Sequence, residues 1–252
     1  MKKAIIYVLT FLVLQFVLGG VIQGAWTIFA KDVDKAMMLI VSTAVANIVA
    51  IILFLCLKWA EVSPTYIRTR PWGALLWCAV AACGAVIPSV WFQEQMPELP
   101  NIVEEELSGI LLSRWGYLAV GILAPLGEEL VFRGAVLRSL LGWTQNHWGA
   151  IALSALFFAL FHANPAQMPH AFLIGLLLGW LYYRTRSIAP GVIYHLVNNS
   201  IAYVMYNLYP DPDMRLIDLF GTQRTVAAAV LFSLFILLPA LYQLNLRLRK
   251  AQ

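Results

Sequence analysis

Between Ala4 and Phe29 the chain carries no charged side chain. A run of that length has few fates. About 20 apolar residues in helical form span a bilayer's hydrocarbon core. Inside lipid the backbone must satisfy its own hydrogen bonds, which favours helices. Comparable runs recur at about 36–57, 72–92, 115–140, 147–163, 168–183, 188–207 and 223–245. The expected fold is therefore all-α, a polytopic membrane bundle of about eight transmembrane helices. Residues 1–252 form one integral membrane domain in this reading. Only 12% of residues are charged, against about 25% in a soluble domain.

The basic residues report topology. With the N-terminus inside, the cytoplasmic ends and loops hold Lys2, Lys3, Lys58, Arg68, Arg70, Arg133, Arg138, Arg184, Arg186, Arg247, Arg249 and Lys250. The opposite side holds only Lys31, Lys35, Arg114, Arg215 and Arg224. That asymmetry satisfies the positive-inside rule and puts both termini in the cytoplasm, at the cell membrane. The net charge of +4 thus calls for no acidic partner, and no nucleic acid is expected. Met1-Lys2-Lys3 opens like a signal peptide, but the apolar run is long. Gln23-Gly24-Ala25 also lacks a small residue at −3, so the segment reads as a retained span. Cys56, Cys78 and Cys83 lie in apolar segments without metal-site spacing and read as small buried hydrophobes. In the longest outside loop, 93–113, Ile102, Val103, Leu107, Ile110 and Leu111 recur at helical spacing. A short interfacial helix and a plain connector both fit.

Against this background Glu128, Glu129 and Arg133 stand out, inside the fourth expected span. A charge at the centre of a membrane helix costs roughly 2.5–3.5 kcal/mol on insertion scales, and such residues mark functional sites. Glu129 and Arg133 are four apart and share a helix face, so they read as a structural pair. Glu128 points about 100° away, which leaves it free to act as a general base. The fifth span contributes His162, four residues after Phe158; the seventh contributes His195, with Asn199 on the same face. His162 suits holding a water or moving a proton. His195 and Asn199 are donors able to stabilise an oxyanion. Convergence of these groups would make a hydrolytic set without a side-chain nucleophile. Straight helices place His195 about 10 Å and His162 about 20 Å from the same membrane edge. Convergence then requires a tilted or recessed fifth helix. Gly175 and Gly179 form a GxxxG that lets the sixth helix pack closely. His147 and His170, near span ends, read as solvated, with His170 near the site mouth.

The three motifs Glu128-Glu129-x-x-x-Arg133, Phe158-x-x-x-His162 and His195-x-x-x-Asn199 follow one another on successive helices. In that order they resemble the CPBP family of CAAX prenyl proteases and bacteriocin-processing enzymes, also called Abi. The resemblance covers about residues 115–206. It implies an intramembrane glutamic endopeptidase with its site between the fourth, fifth and seventh helices. Glu128 and His162 would activate water, His195 and Asn199 would form the oxyanion hole, and Glu129 and Arg133 would support them. No cofactor is implied; were the enzyme zinc-dependent, Glu128, His162 and His195 would be the ligands. The substrate would be a membrane-embedded, lipidated or hydrophobic peptide or protein in the lipid bilayer. Arg186 departs from the family, whose members often carry Gly in that turn. Two other classes compete: a non-enzymatic membrane scaffold or bacteriocin-immunity protein, and a transporter.

Overall fold

A computed structural model describes residues 1–29, 34–211 and 213–248. Lys31, Arg249 and Lys250, used in the charge pattern, lie outside the described residues. The described residues contain helices and no strand. In chain order these are α1 (Lys2–Phe29), α2 (Lys35–Cys56), α3 (Pro64–Arg68), α4 (Trp72–Glu94), α5 (Glu104–Leu112), α6 (Tyr117–Trp143), α7 (His147–Phe161), α8 (Met168–Thr185), α9 (Ala189–Leu208), α10 (Leu216–Phe220) and α11 (Gln223–Arg247).

Each expected apolar segment is a helix. By length and composition, four of them (α1, α2, α4 and α11) can each cross a membrane alone. The α5–α6 pair passes the same test jointly but is bent by 101°, giving up to five crossings rather than a demonstrated eight. The outer faces fit lipid: Phe16, Ile28, Phe232 and Phe235 all point outward. This is a multi-pass membrane protein.

Local chemistry sets the helix boundaries. Asp34 and Asn146 accept hydrogen bonds from the backbone N–H of Met37 and Gly149, capping α2 and α7. Pro169 and Pro190 sit in the first turns of α8 and α9, where a missing N–H costs nothing. The loop before α5 is real but ends in a helix, with Glu104, Glu105 and Glu106 in a first turn that favours negative charge. Asn164, fully buried, ties that loop to the α7–α8 turn by accepting from Ile102 N–H and donating to Asn101.

Helix α6 is not uniform. It opens with a π-helical stretch, Tyr117–Leu123, and carries a second at Phe132–Leu137, with the α-helical Ala124–Val131 between them. Two apolar clusters flank the interior. One joins α1, α2, α6 and α7 around Phe11, Phe54, Phe132 and Phe158. The other joins α4, α8, α9 and α11 around Cys78, Leu178, Tyr194 and Leu244. The expected close packing of α8 is present: a Cβ on Gly175 or Gly179 would lie 2.9 Å from Ala155 or Ile151 of α7.

Two expectations need correction. Only Cys78 is buried; Cys56 and Cys83 lie on outer faces, because the apolar surroundings of a membrane helix include lipid as well as core. Arg133, counted among the cytoplasmic ends, is instead fully buried within the bundle beside Glu129.

Candidate active site

The centre of the site is an ion pair shut away from solvent. Arg133 Nη1 donates to Glu129 Oε1 at 2.8 Å, with both side chains at most 1% exposed. The spacing of four within a helix makes this contact, as the sequence indicates. Arg133 is fixed twice more: Nη2 donates to the Gly175 carbonyl at 3.3 Å, and the guanidinium lies 4.4 Å above the Phe158 ring. The small residue at Gly175 lets the α8 backbone come near enough to α7 to serve as that acceptor.

His195 of α9 reaches the same pair. Its Nδ1 bonds Glu129 Oε1 at 3.1 Å, and its Nε2 lies 3.7 Å from Glu128 Oε2. The latter gap is long for a direct hydrogen bond. The helix-face separation of the two glutamates holds, yet both reach one imidazole, one at each nitrogen. Sequence spacing did not reveal this bridging position. Nor did it reveal Gly191, one turn before His195, where a Cβ would lie 2.6 Å from Glu129 Oε2. Only a bare backbone lets the buried carboxylate sit there.

His162 ends α7. Its Nδ1 bonds the Phe158 carbonyl at 2.9 Å. A carbonyl only accepts, so Nδ1 carries the proton and Nε2 of the neutral ring is an acceptor. The rings of His162 and His195 both stand edge-on to Phe158, at centroid distances of 4.9 and 5.8 Å. The depth mismatch expected from straight helices is therefore absorbed by the fold. Asn199 donates from Nδ2 to the Val120 carbonyl at 3.0 Å and accepts from Asn198 Nδ2 at 3.2 Å. Val120 lies in the first π-helical stretch of α6, a departure from regular helix that is frequent at functional sites.

These side chains meet around one cavity of about 310 Å³, into which Glu128, His162, His195 and Asn199 all face. Glu129 and Arg133 lie behind that wall. His170 lines the cavity too, so it belongs to the interior rather than to a solvated helix end. Its position in the first turn of α8 was the available signal. Leu107 and Leu111 of α5 close another side, so the loop for which an interfacial helix and a plain connector both fitted forms a helix that is cavity wall. No group of three His, Cys, Asp or Glu among the described residues is arranged to hold a metal ion.

Residues 110–201 match the family model described as type II CAAX prenyl endopeptidase Rce1-like. This stretch, under half of the chain, is similar to that family. The likeness read from the three motifs is borne out over this stretch. The Rce1-like stretch runs from the end of α5 into α9 and takes in every polar residue of the cavity wall. It leaves out α1 to α4, α10 and α11, of which α1, α2 and α4 pack against it. No curated protein and no solved structure matches the chain.

Proposed function

We propose that the chain is an intramembrane endopeptidase of glutamic type that hydrolyses a peptide bond of a membrane-embedded, lipidated or hydrophobic peptide. The observation that carries this reading is the meeting of Glu128, His162, His195 and Asn199 on one cavity. A water between Glu128 and His162 Nε2 has two acceptors for its two protons, which turns a lone pair toward the scissile carbonyl. Glu128 takes one proton as the water oxygen bonds to the carbonyl carbon. The negative charge that develops on the carbonyl oxygen is met by two donors. Asn199 has one amide hydrogen committed to Val120 and offers the second. His195, whose Nδ1 bonds Glu129, presents Nε2 to the cavity and serves as a donor in the form that carries a proton there. The tetrahedral intermediate collapses as the C–N bond breaks, and the proton held by Glu128 passes to the leaving nitrogen.

Glu129 and Arg133 take no proton in this scheme. They fix the imidazole that faces the substrate. The reaction draws on no metal, so a zinc chelator leaves the rate unchanged; inactivation that added zinc reverses would overturn that point. In this reading both termini are cytoplasmic, at the cell membrane, and the cavity, walled by Leu107 and Leu111 of the outside loop, lies toward the opposite half of the bilayer. The test is cleavage of a hydrophobic peptide library by the purified protein beside Glu128→Ala and His195→Ala. Cleavage is expected from the wild type alone. Products that persist in both variants would remove the assignment.

A further inference from the structure

Where α1 begins and α2 and α6 end, a second cavity of about 600 Å³ opens, with no residue in common with the Glu128 site. Lys2, Lys3, Lys58 and Arg138 line it, with Trp59 and Trp143. Among the described residues its wall contains no acid. Arg138 is paired with Glu61 beyond the wall. The side chains of Lys2, Lys3 and Lys58 have no partner among the described residues, so three positive charges face one space. Coulomb repulsion makes such a gathering unfavourable until an anion enters.

The cavity is also built. The Tyr7 ring lies 5.0 Å from Trp59, and Phe54 meets Trp59 edge-on at 5.4 Å, so the aromatic wall is braced from behind. Tyr7 and Ser139 also line the cavity, adding hydroxyl donors between the cations. Lys58 occupies the left-handed region at φ 55°, just past the end of α2. Helices commonly place glycine or asparagine in that conformation, which strains any side chain bearing a Cβ.

We propose that this cavity is a binding site for a phosphate-bearing anion, either the headgroup of an anionic phospholipid or free phosphate. Its size suits a small polar ligand, and basic pockets between membrane helices are suited to phosphate headgroups. Tryptophans at its rim are residues favoured at the depth where headgroups lie. The site touches the catalytic helix: Ala135 and Arg138 of its wall lie in and just after the π-helical stretch of α6 that contains Arg133.

The experiment is native mass spectrometry of the full, delipidated chain with phosphatidylglycerol, phosphatidylcholine or inorganic phosphate. This readout does not depend on hydrolysis and stands or falls apart from the Glu128 assignment. Phosphatidylglycerol binds and phosphatidylcholine does not. K2Q/K3Q/K58Q weakens phosphatidylglycerol about fivefold per lysine removed, from the roughly 1 kcal/mol each contributes. R68Q/R70Q/R247Q, which removes equal charge from exposed positions outside the cavity, leaves binding unchanged. Because fewer lysines also weaken topology signals, Gly142→Phe is a second test with every charge kept. Gly142 lines the cavity, and a Cβ there meets nothing within 4 Å, so the ring fills the space instead of straining the helix. It is expected to weaken phosphatidylglycerol binding at least as much as the triple variant does. Displacement of the lipid by phosphate supports a lipid-occupied anion site, and binding of phosphate alone supports a free-anion site. Equal binding of both lipids without phosphate binding, or equal loss in the two triple variants, would overturn the proposal.

Discussion

Arg133 ties together three helices at one side chain, through Glu129 of α6, the Gly175 carbonyl of α8 and the Phe158 ring of α7. Its removal strands Glu129 in a low-dielectric interior, and breaking a buried pair this way costs about 3–5 kcal/mol. Arg133→Ala is expected to lower the thermal midpoint in detergent steeply, with activity lost through folding. Asn199→Ala acts differently. It takes away one oxyanion donor and should lower kcat by roughly 10²–10³-fold, with a loss of stability of only about 1 kcal/mol from the missing bond to Val120. Gly191→Ala pushes a methyl group toward Glu129 Oε2, only 2.6 Å away, and overpacking of that kind costs about 1–3 kcal/mol. The Glu129–Arg133 pair was legible because spacing of four is a property of one helix. The place of His195 between two carboxylates was not, since helix periodicity says nothing about which neighbouring face a residue meets. Gly191 was invisible for the same reason: its contact is with another helix.

At the scale of elements, the GxxxG of α8 behaves as its spacing implies, because small residues in a repeating register need only one packing partner. Gly179→Val would drive a branched side chain into Ile151 and is expected to reduce stability by about 1–3 kcal/mol, read as a lower midpoint on heating. Arg186 shows the converse. It caps α8 in the left-handed region at φ 55°, which explains why the resembling family often carries Gly there. Arg186→Gly should raise stability by about 1 kcal/mol, with cleavage unchanged; a lower melting midpoint would show that its packing over Tyr183 outweighs the strain. The π-helical stretches of α6 had no signature in the sequence. They depend on contacts such as Asn199 to Val120, which exist only once α9 has packed against α6. The helix at Glu104–Leu112 was one of two open readings, and its role as cavity wall depends on the bend of 101° that follows it.

For the whole molecule, apolar run length was enough to locate the helices, since lipid removes most alternatives for the backbone. It was not enough to count crossings, because α7 is only 15 residues long and α5 and α6 meet at a sharp bend. Orientation is a separate expectation from the lysine and arginine pattern. Single cysteines placed at Lys2 and Arg247 should be labelled by a membrane-impermeant thiol reagent only after the cells are opened. One at Glu98 should be labelled in intact cells. The central claim, that the buried polar cluster is a hydrolytic site based on Glu128, is tested most directly by cleavage with Glu128→Gln. That exchange keeps the shape of the side chain and removes its basicity. The account predicts wild-type thermal stability with cleavage reduced by at least roughly 10²-fold. A stable Glu128→Gln protein that cuts at the wild-type rate would contradict it and leave the cluster as helix-packing scaffold.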